Sequence, residues 1–116
     1  MRLFALVPAA ALLSACSNEH LEALRLQQQA DVDREVHALV HDGMKVFEAV
    51  PNLQRAGFSC SPHGDVPPSF ECGRTRRLGG QLLVNCVEHV SFVDTLVDNG
   101  AIARLEVGRI ACLGTP

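Results

Sequence analysis

The chain has no tryptophan and no tyrosine, and only five phenylalanines, one of them at position 4. Aromatic platforms for stacking sugars or bases would therefore have to be built from very little. A basic surplus is also missing. The formal charge is −3, and it falls to −4 if Arg2 is removed with a leader, which argues against a nucleic-acid partner and against a polybasic membrane-binding surface. No apolar run reaches the roughly 18 residues of a membrane-spanning helix. There is no Cys-x-x-Cys pair, which speaks against a four-cysteine zinc site. His37 and His41 are four apart on a predicted helix and could share a face. Ala38 stands where a zinc protease would need its glutamate base, so that chemistry is excluded and a boundary-packing or solvated role is expected. His89 and Ser91 share one face of a predicted strand while Asp94 points away, and no nucleophile elbow surrounds Ser91. Gly79-Gly80 is a turn and not a phosphate-cradling loop. The expectation is a protein that is not an enzyme and uses no metal and no cofactor.

What is present begins at the amino terminus. Arg2 forms a short basic region, Leu3 to Leu12 is apolar, and Leu13-Ser14-Ala15-Cys16 closes the segment with small residues directly before a cysteine. This arrangement resembles the lipobox of bacterial lipoproteins. The resemblance implies cleavage before Cys16, a diacylglyceryl group on its thiol, and an acylated new amino terminus. Residues 1–15 are then a signal peptide, 16–30 a lipidated terminus and tether, and 31–116 the folded domain. The alternative is an ordinary secretory signal whose cysteine is incidental. In Gram-negative lipoproteins an aspartate after the lipidated cysteine favours the inner membrane. Ser17 stands there, so the resemblance implies an outer-membrane anchor facing the periplasm. The bilayer would be touched through the acyl chains on Cys16, which hold durably when there are two or three.

With Cys16 set aside, Cys60, Cys72, Cys86 and Cys112 remain, an even number in an exported chain and so two expected disulfides. If Asp98-Asn99-Gly100 is a hairpin turn centred on Asn99, Cys86 stands opposite Cys112 and Cys60 is left for Cys72. The competing register, a turn centred on Gly79, places Cys72 opposite Cys86.

Residues 17–30 carry a polar Gln27-Gln28-Gln29 run and a weak leucine stripe, suiting a tether or a frayed helix. Val32, Val36, Leu39 and Val40 form an apolar stripe that predicts a helix over 31–42, stopped by Gly43. Val46, Ala49, Val50 and Leu53 predict a second over 44–56, stopped by Gly57. Pro51 either kinks that helix or opens a shorter one. Residues 59–68 read as a Pro- and Gly-containing loop. Strands are expected over 69–77, 82–97 and 101–113, with irregular alternation in the last two that points to a bulge. The expected fold is α+β: two amino-terminal helices packed on a three-stranded antiparallel sheet, in two layers.

This element order, the lipobox and the Gly43-Met44 joint together resemble the small outer-membrane lipoproteins of the SmpA/OmlA type, which include the E subunit of the β-barrel assembly machine. The same layout recurs in β-lactamase-inhibitor protein repeats. The resemblance implies a fold and a non-enzymatic envelope protein with a protein partner; it carries no partner-binding motif with it, and the four cysteines depart from it. A tethered inhibitor or small-ligand module is the alternative. The one basic cluster is Arg74, Arg76 and Arg77, with Arg74 and Arg76 on the face of Phe70 and Cys72 and Arg77 opposite. It is either a contact for an acidic partner or lipid headgroups, or the charged guard of an edge strand.

Overall fold

A computed structural model describes residues 3–65, 68–79, 83–95 and 100–114, and of residues 3–18, 65 and 114 the backbone alone. Its elements in chain order are α1 (Leu3–Leu39), α2 (Val46–Arg55), β1 (Ser59–Asp65), β2 (Pro68–Arg77), β3 (Val84–Asp94), β4 (Ile102–Val107) and β5 (Ala111–Gly114). The expected α+β class holds. The sheet has five strands instead of three, because two stretches of chain behave differently from the sequence reading.

The first is residues 59–65. Pro62 and Gly64 suggested a loop, but β1 lies at the sheet edge and pairs antiparallel with β2, with Cys60 opposite Cys72 and Pro62 opposite Phe70. A proline has no N–H to donate and is tolerated on an edge strand, where one side of the ladder has no neighbour. As a consequence β2 is an inner strand between β1 and β3, not an edge.

The second is residues 102–113. Instead of one strand, β4 pairs with the later half of β3 and β5 with its earlier half. Near the turn Asp94 faces Ile102 and Val93 faces Ala103, but Ser91 faces Glu106, so the return strand gains one residue. Arg104, at φ 52, sits in that bulge. A second residue is gained between Val107, opposite Val90, and Ala111, opposite Val87. The register near the turn is therefore not the one expected for a turn centred on Asn99. The two insertions shift it until Cys86 meets Cys112. Gly80, Asp98 and Asn99 of the expected turns lie outside the described residues.

Helix α1 is continuous from Leu3 to Leu39. Of the two forms open to residues 17–30, a tether or a frayed helix, the chain takes the helix, and among its described side chains Leu21 and Leu24 are docked on the sheet. Leu21 and Leu24 pack on Leu78, Val84, Cys86 and Ile110. The weak leucine stripe recorded only part of this seam, since the glutamines contribute the rest. Gln29 donates to the carbonyl of Gly108 (3.0 Å) and accepts from the N–H of Ile110 (2.7 Å). It thereby supplies partners for the backbone where β4 breaks into β5 and leaves the ladder.

Farther along α1, Val32, Val36 and Val40 are fully buried against Cys72, Val90, Phe92 and Ile102. Leu39 lies beside this stripe and is only partly buried. The helix stops at Leu39, three residues before the expected end, so His37 and His41 do not share a helical face. Gly43, at φ 87, makes the left-handed turn that a side chain would strain, and its N–H reaches the carbonyl of Ile102 (2.9 Å). Helix α2 begins at Val46 and carries Pro51 inside it, settling the choice its sequence left open. Ala49 and Leu53, one turn apart, are its buried pair. Both helices lie on one face of the sheet, and α1 runs along β3 from its Val84 end to its Asp94 end.

Candidate functional site: a buried carboxylate between two arginines

Alternation on β3 sends Cys86, Glu88, Val90 and Phe92 to the helix-covered face. Glu88 therefore falls between the two apolar clusters, and it is completely withdrawn from solvent. On β2 the same alternation sends Arg74 opposite Glu88 and Arg76 opposite Cys86. A carboxylate in this position is tolerable only if its charge is met and its lone pairs are filled. Arg74 Nε donates to Oε1 at 2.6 Å, and Arg76 donates Nε and Nη2 at 2.7–3.1 Å. Gln28 Nε2, from α1, donates to Oε2 at 3.1 Å.

Arg74 extends the network. Its side chain is 8 % exposed. Its Nη2 and Nη1 meet the two oxygens of Glu35 at 2.7 and 3.2 Å. Nη1 also donates to the carbonyl of Ala56, at 2.8 Å. The guanidinium lies 4.3 Å from the centre of the Phe58 ring, a cation–π contact that closes its remaining face. Arg74's bonds hold the Glu35 carboxyl below its usual pKa. For Arg74 itself burial is the largest influence and pulls the pKa down, while bonds to Glu35 and Glu88 outweigh it and leave the guanidinium raised.

Gln28 and Glu35 are seven residues apart, two turns along one helix face. Together they fasten α1 to the sheet at two points of a single charged network. Among the described side chains no buried polar atom lacks a partner. The chemistry available here is recognition of one fixed register of helix on sheet. The arginine side chains that the sequence offered as partner contacts divide accordingly: Arg74 and Arg76 are committed inward, whereas Arg77 is exposed and stands opposite Asn85 on the uncovered face. Beside Arg76, whose side chain is 43 % exposed, a cleft of about 420 Å³ opens between α1 and the end of β2, lined in part by Gln27, Gln28 and Asp31 of the helix and reached by Arg77 as the last residue of the strand.

The sequence puts Arg74 and Arg76 on the face of Phe70 and Cys72 and offers them as a partner contact or an edge guard, whereas that face is buried beneath α1. Glu88, at an inward position of the next strand, was the signal to follow. The remaining candidates are scattered. His37 Nδ1 contacts the carbonyl of Asp33 (2.7 Å) and His41 Nδ1 that of Asp42 (3.0 Å), both exposed. His89 Nε2 lies 3.9 Å from a carboxylate oxygen of Glu71, on the neighbouring strand.

Sulfur–sulfur bonds join Cys60 to Cys72 and Cys86 to Cys112. The first ties the edge strand to β2 and the second ties β5 to β3, next to the polar layer. Cys16 falls within α1, and its side chain lies outside the described residues. No described helix is long and apolar enough to cross a membrane. No protein-family model, no curated protein and no solved structure matches the chain.

Proposed function

We propose that this protein is a lipid-anchored module of the bacterial cell envelope that binds another envelope protein and performs no chemistry of its own. The observation that carries this reading is Leu13-Ser14-Ala15-Cys16 at the end of a short apolar run, with a disulfide-bonded domain downstream. The acyl chains on Cys16 hold it in the membrane, and Ser17 after the anchor directs it to the outer membrane, facing the periplasm. The two-layer layout of helices on an antiparallel sheet is consistent with the resemblance to SmpA/OmlA-type lipoproteins, while β1 and the two disulfides set it apart from a plain ααβββ arrangement. The buried charged network supports a scaffold role, since its groups are spent on one another.

Crosslinking in intact envelopes, followed by recovery of this chain under denaturing conditions, tests the reading. The expected result is a discrete adduct with an integral or peripheral envelope protein that is lost in Cys16→Ala, which is left without lipid and with its leader uncut. Recovery of adducts with a single soluble enzyme, unaffected by that substitution, would instead favour the tethered-inhibitor alternative.

A further inference from the structure

The position at which α1 docks has a consequence for how such a protein would sit on its membrane. Leu21, the first described side chain of the helix that packs on the sheet, lies five residues on from Cys16, a distance of five backbone steps. As helix they span about 7.5 Å, and fully extended they span at most about 18 Å. Both lengths are shorter than the 24 Å breadth of the molecule. An anchor at Cys16 therefore holds the Val84 end of the sheet near the bilayer, with the Asp94 end about 34 Å farther along β3.

The surface at the near end groups several exposed apolar side chains, where the far end has the single exposed Phe47 among the described residues. On the uncovered face, Arg77, Asn85 and Leu113 form one row across β2, β3 and β5, and Thr75, Val87 and Ala111 the next. Leu113 is 76 % exposed, Leu83 just before β3 is 68 % exposed, and Val87 adds to them. Toward the other end the same face becomes polar, with Glu71, Ser91 and Glu106. Charge at this end is mixed, with Glu19 and Glu22 among Arg25, Arg77 and Arg109, so no strong field of one sign marks it. Its distinguishing feature is exposed leucines grouped where a short tether would emerge, which suits an apolar surface.

Resting on the lipid-anchor reading above, we propose that the Leu83–Leu113 end of the sheet lies against the phospholipid bilayer, with Arg77 at headgroup level. The anchor then orients the domain as well as tethering it, and the Asp94 end with α2 projects outward for a partner.

The absence of tryptophan makes the test direct. Leu113→Trp, Leu83→Trp and, at the far end, Phe47→Trp each introduce one fluorophore at an exposed position. Each full-length precursor is expressed and processed, its Cys16 acylation is read by mass, and it is reconstituted into phosphatidylcholine–phosphatidylglycerol vesicles with brominated acyl chains. The expected result is that the Leu113→Trp and Leu83→Trp proteins lose most of their emission to bromine and shift to the blue, while Phe47→Trp does neither. Acylated protein in which all three behave alike, quenched or not, overturns the orientation and leaves the anchor standing. Protein whose Cys16 carries no acyl group overturns the anchor, and the orientation with it.

Discussion

Arg74 and Glu88 face each other across β2 and β3, with Nε 2.6 Å from Oε1 and the Glu88 carboxylate wholly withdrawn from solvent. Such a pair need not make the fold more stable than an apolar pair would, but breaking it leaves a charge stranded. Glu88→Ala removes one acid from Arg74, which keeps Glu35 and the Ala56 carbonyl, and the acid of the half-exposed Arg76, and leaves Gln28 without its acceptor; it is expected to cost about 1–3 kcal/mol. Arg77→Ala, on the uncovered face, should change stability by no more than about 0.5 kcal/mol. Urea melts of the two variants check this, and similar losses would mean that the inward and outward arginines are not distinguished as described.

The network also predicts an acid sensitivity. Glu35 has its pKa lowered, chiefly by its hydrogen bonds from Arg74. A carboxyl that is more acidic folded than unfolded contributes stability in full above its unfolded value, about 4.3. That contribution is lost as the pH falls through the lower, folded value. The urea midpoint of the native protein should therefore drop below about pH 4.3, and that of Glu35→Gln should drop less steeply over the same window. Parallel curves would remove Glu35 from the account.

Helix α1 from Leu21 to Ala30 is expected to be a fixed part of the domain. Amide exchange over residues 25–30 should be slowed to the level of the Val32–Val40 segment. Gln29→Ala, which strips partners from Gly108 and Ile110, should speed exchange at Ile110 and cost about 1–3 kcal/mol. Exchange at the rate of an unstructured tether would contradict the docking.

Core burial ranks two leucines differently. Leu53 is fully buried in α2, so Leu53→Ala should cost about 2–5 kcal/mol. Leu39 is only partly buried, and Leu39→Ala should cost clearly less in the same urea melts. The reverse order would place α1 in a different rotation on the sheet.

The features legible in the sequence were those written as repetition or as backbone necessity. Val32, Val36 and Val40 announce one helix, Gly43 and Gly57 mark where helices must stop, and an even set of four cysteines downstream of Cys16 announces two bridges. The features that were not legible depend on neighbours far along the chain. Residues 59–65 look like a loop until β2 offers them an edge, and only then is Pro62 harmless. Gln28 and Gln29 look solvated until β3 and the β4–β5 break present groups that need partners. The Cys86–Cys112 pairing was reached from a turn centred on Asn99, but the structure arrives at it through two inserted residues in the return strand, one beside Arg104 and one near Gly108. Digestion without reduction should yield peptides linking Cys60 to Cys72 and Cys86 to Cys112, and a Cys72–Cys86 link would contradict that register.

The claim that this domain is held to a membrane by lipid on Cys16 is tested most directly by growing cells with a radiolabelled fatty acid and recovering the native chain and its Cys16→Ala variant. The account predicts label in the native protein, confined to the amino-terminal peptide that begins at Cys16, and none in the variant, which retains its leader. Equal labelling of the two, or a native protein that matures without label, would contradict it.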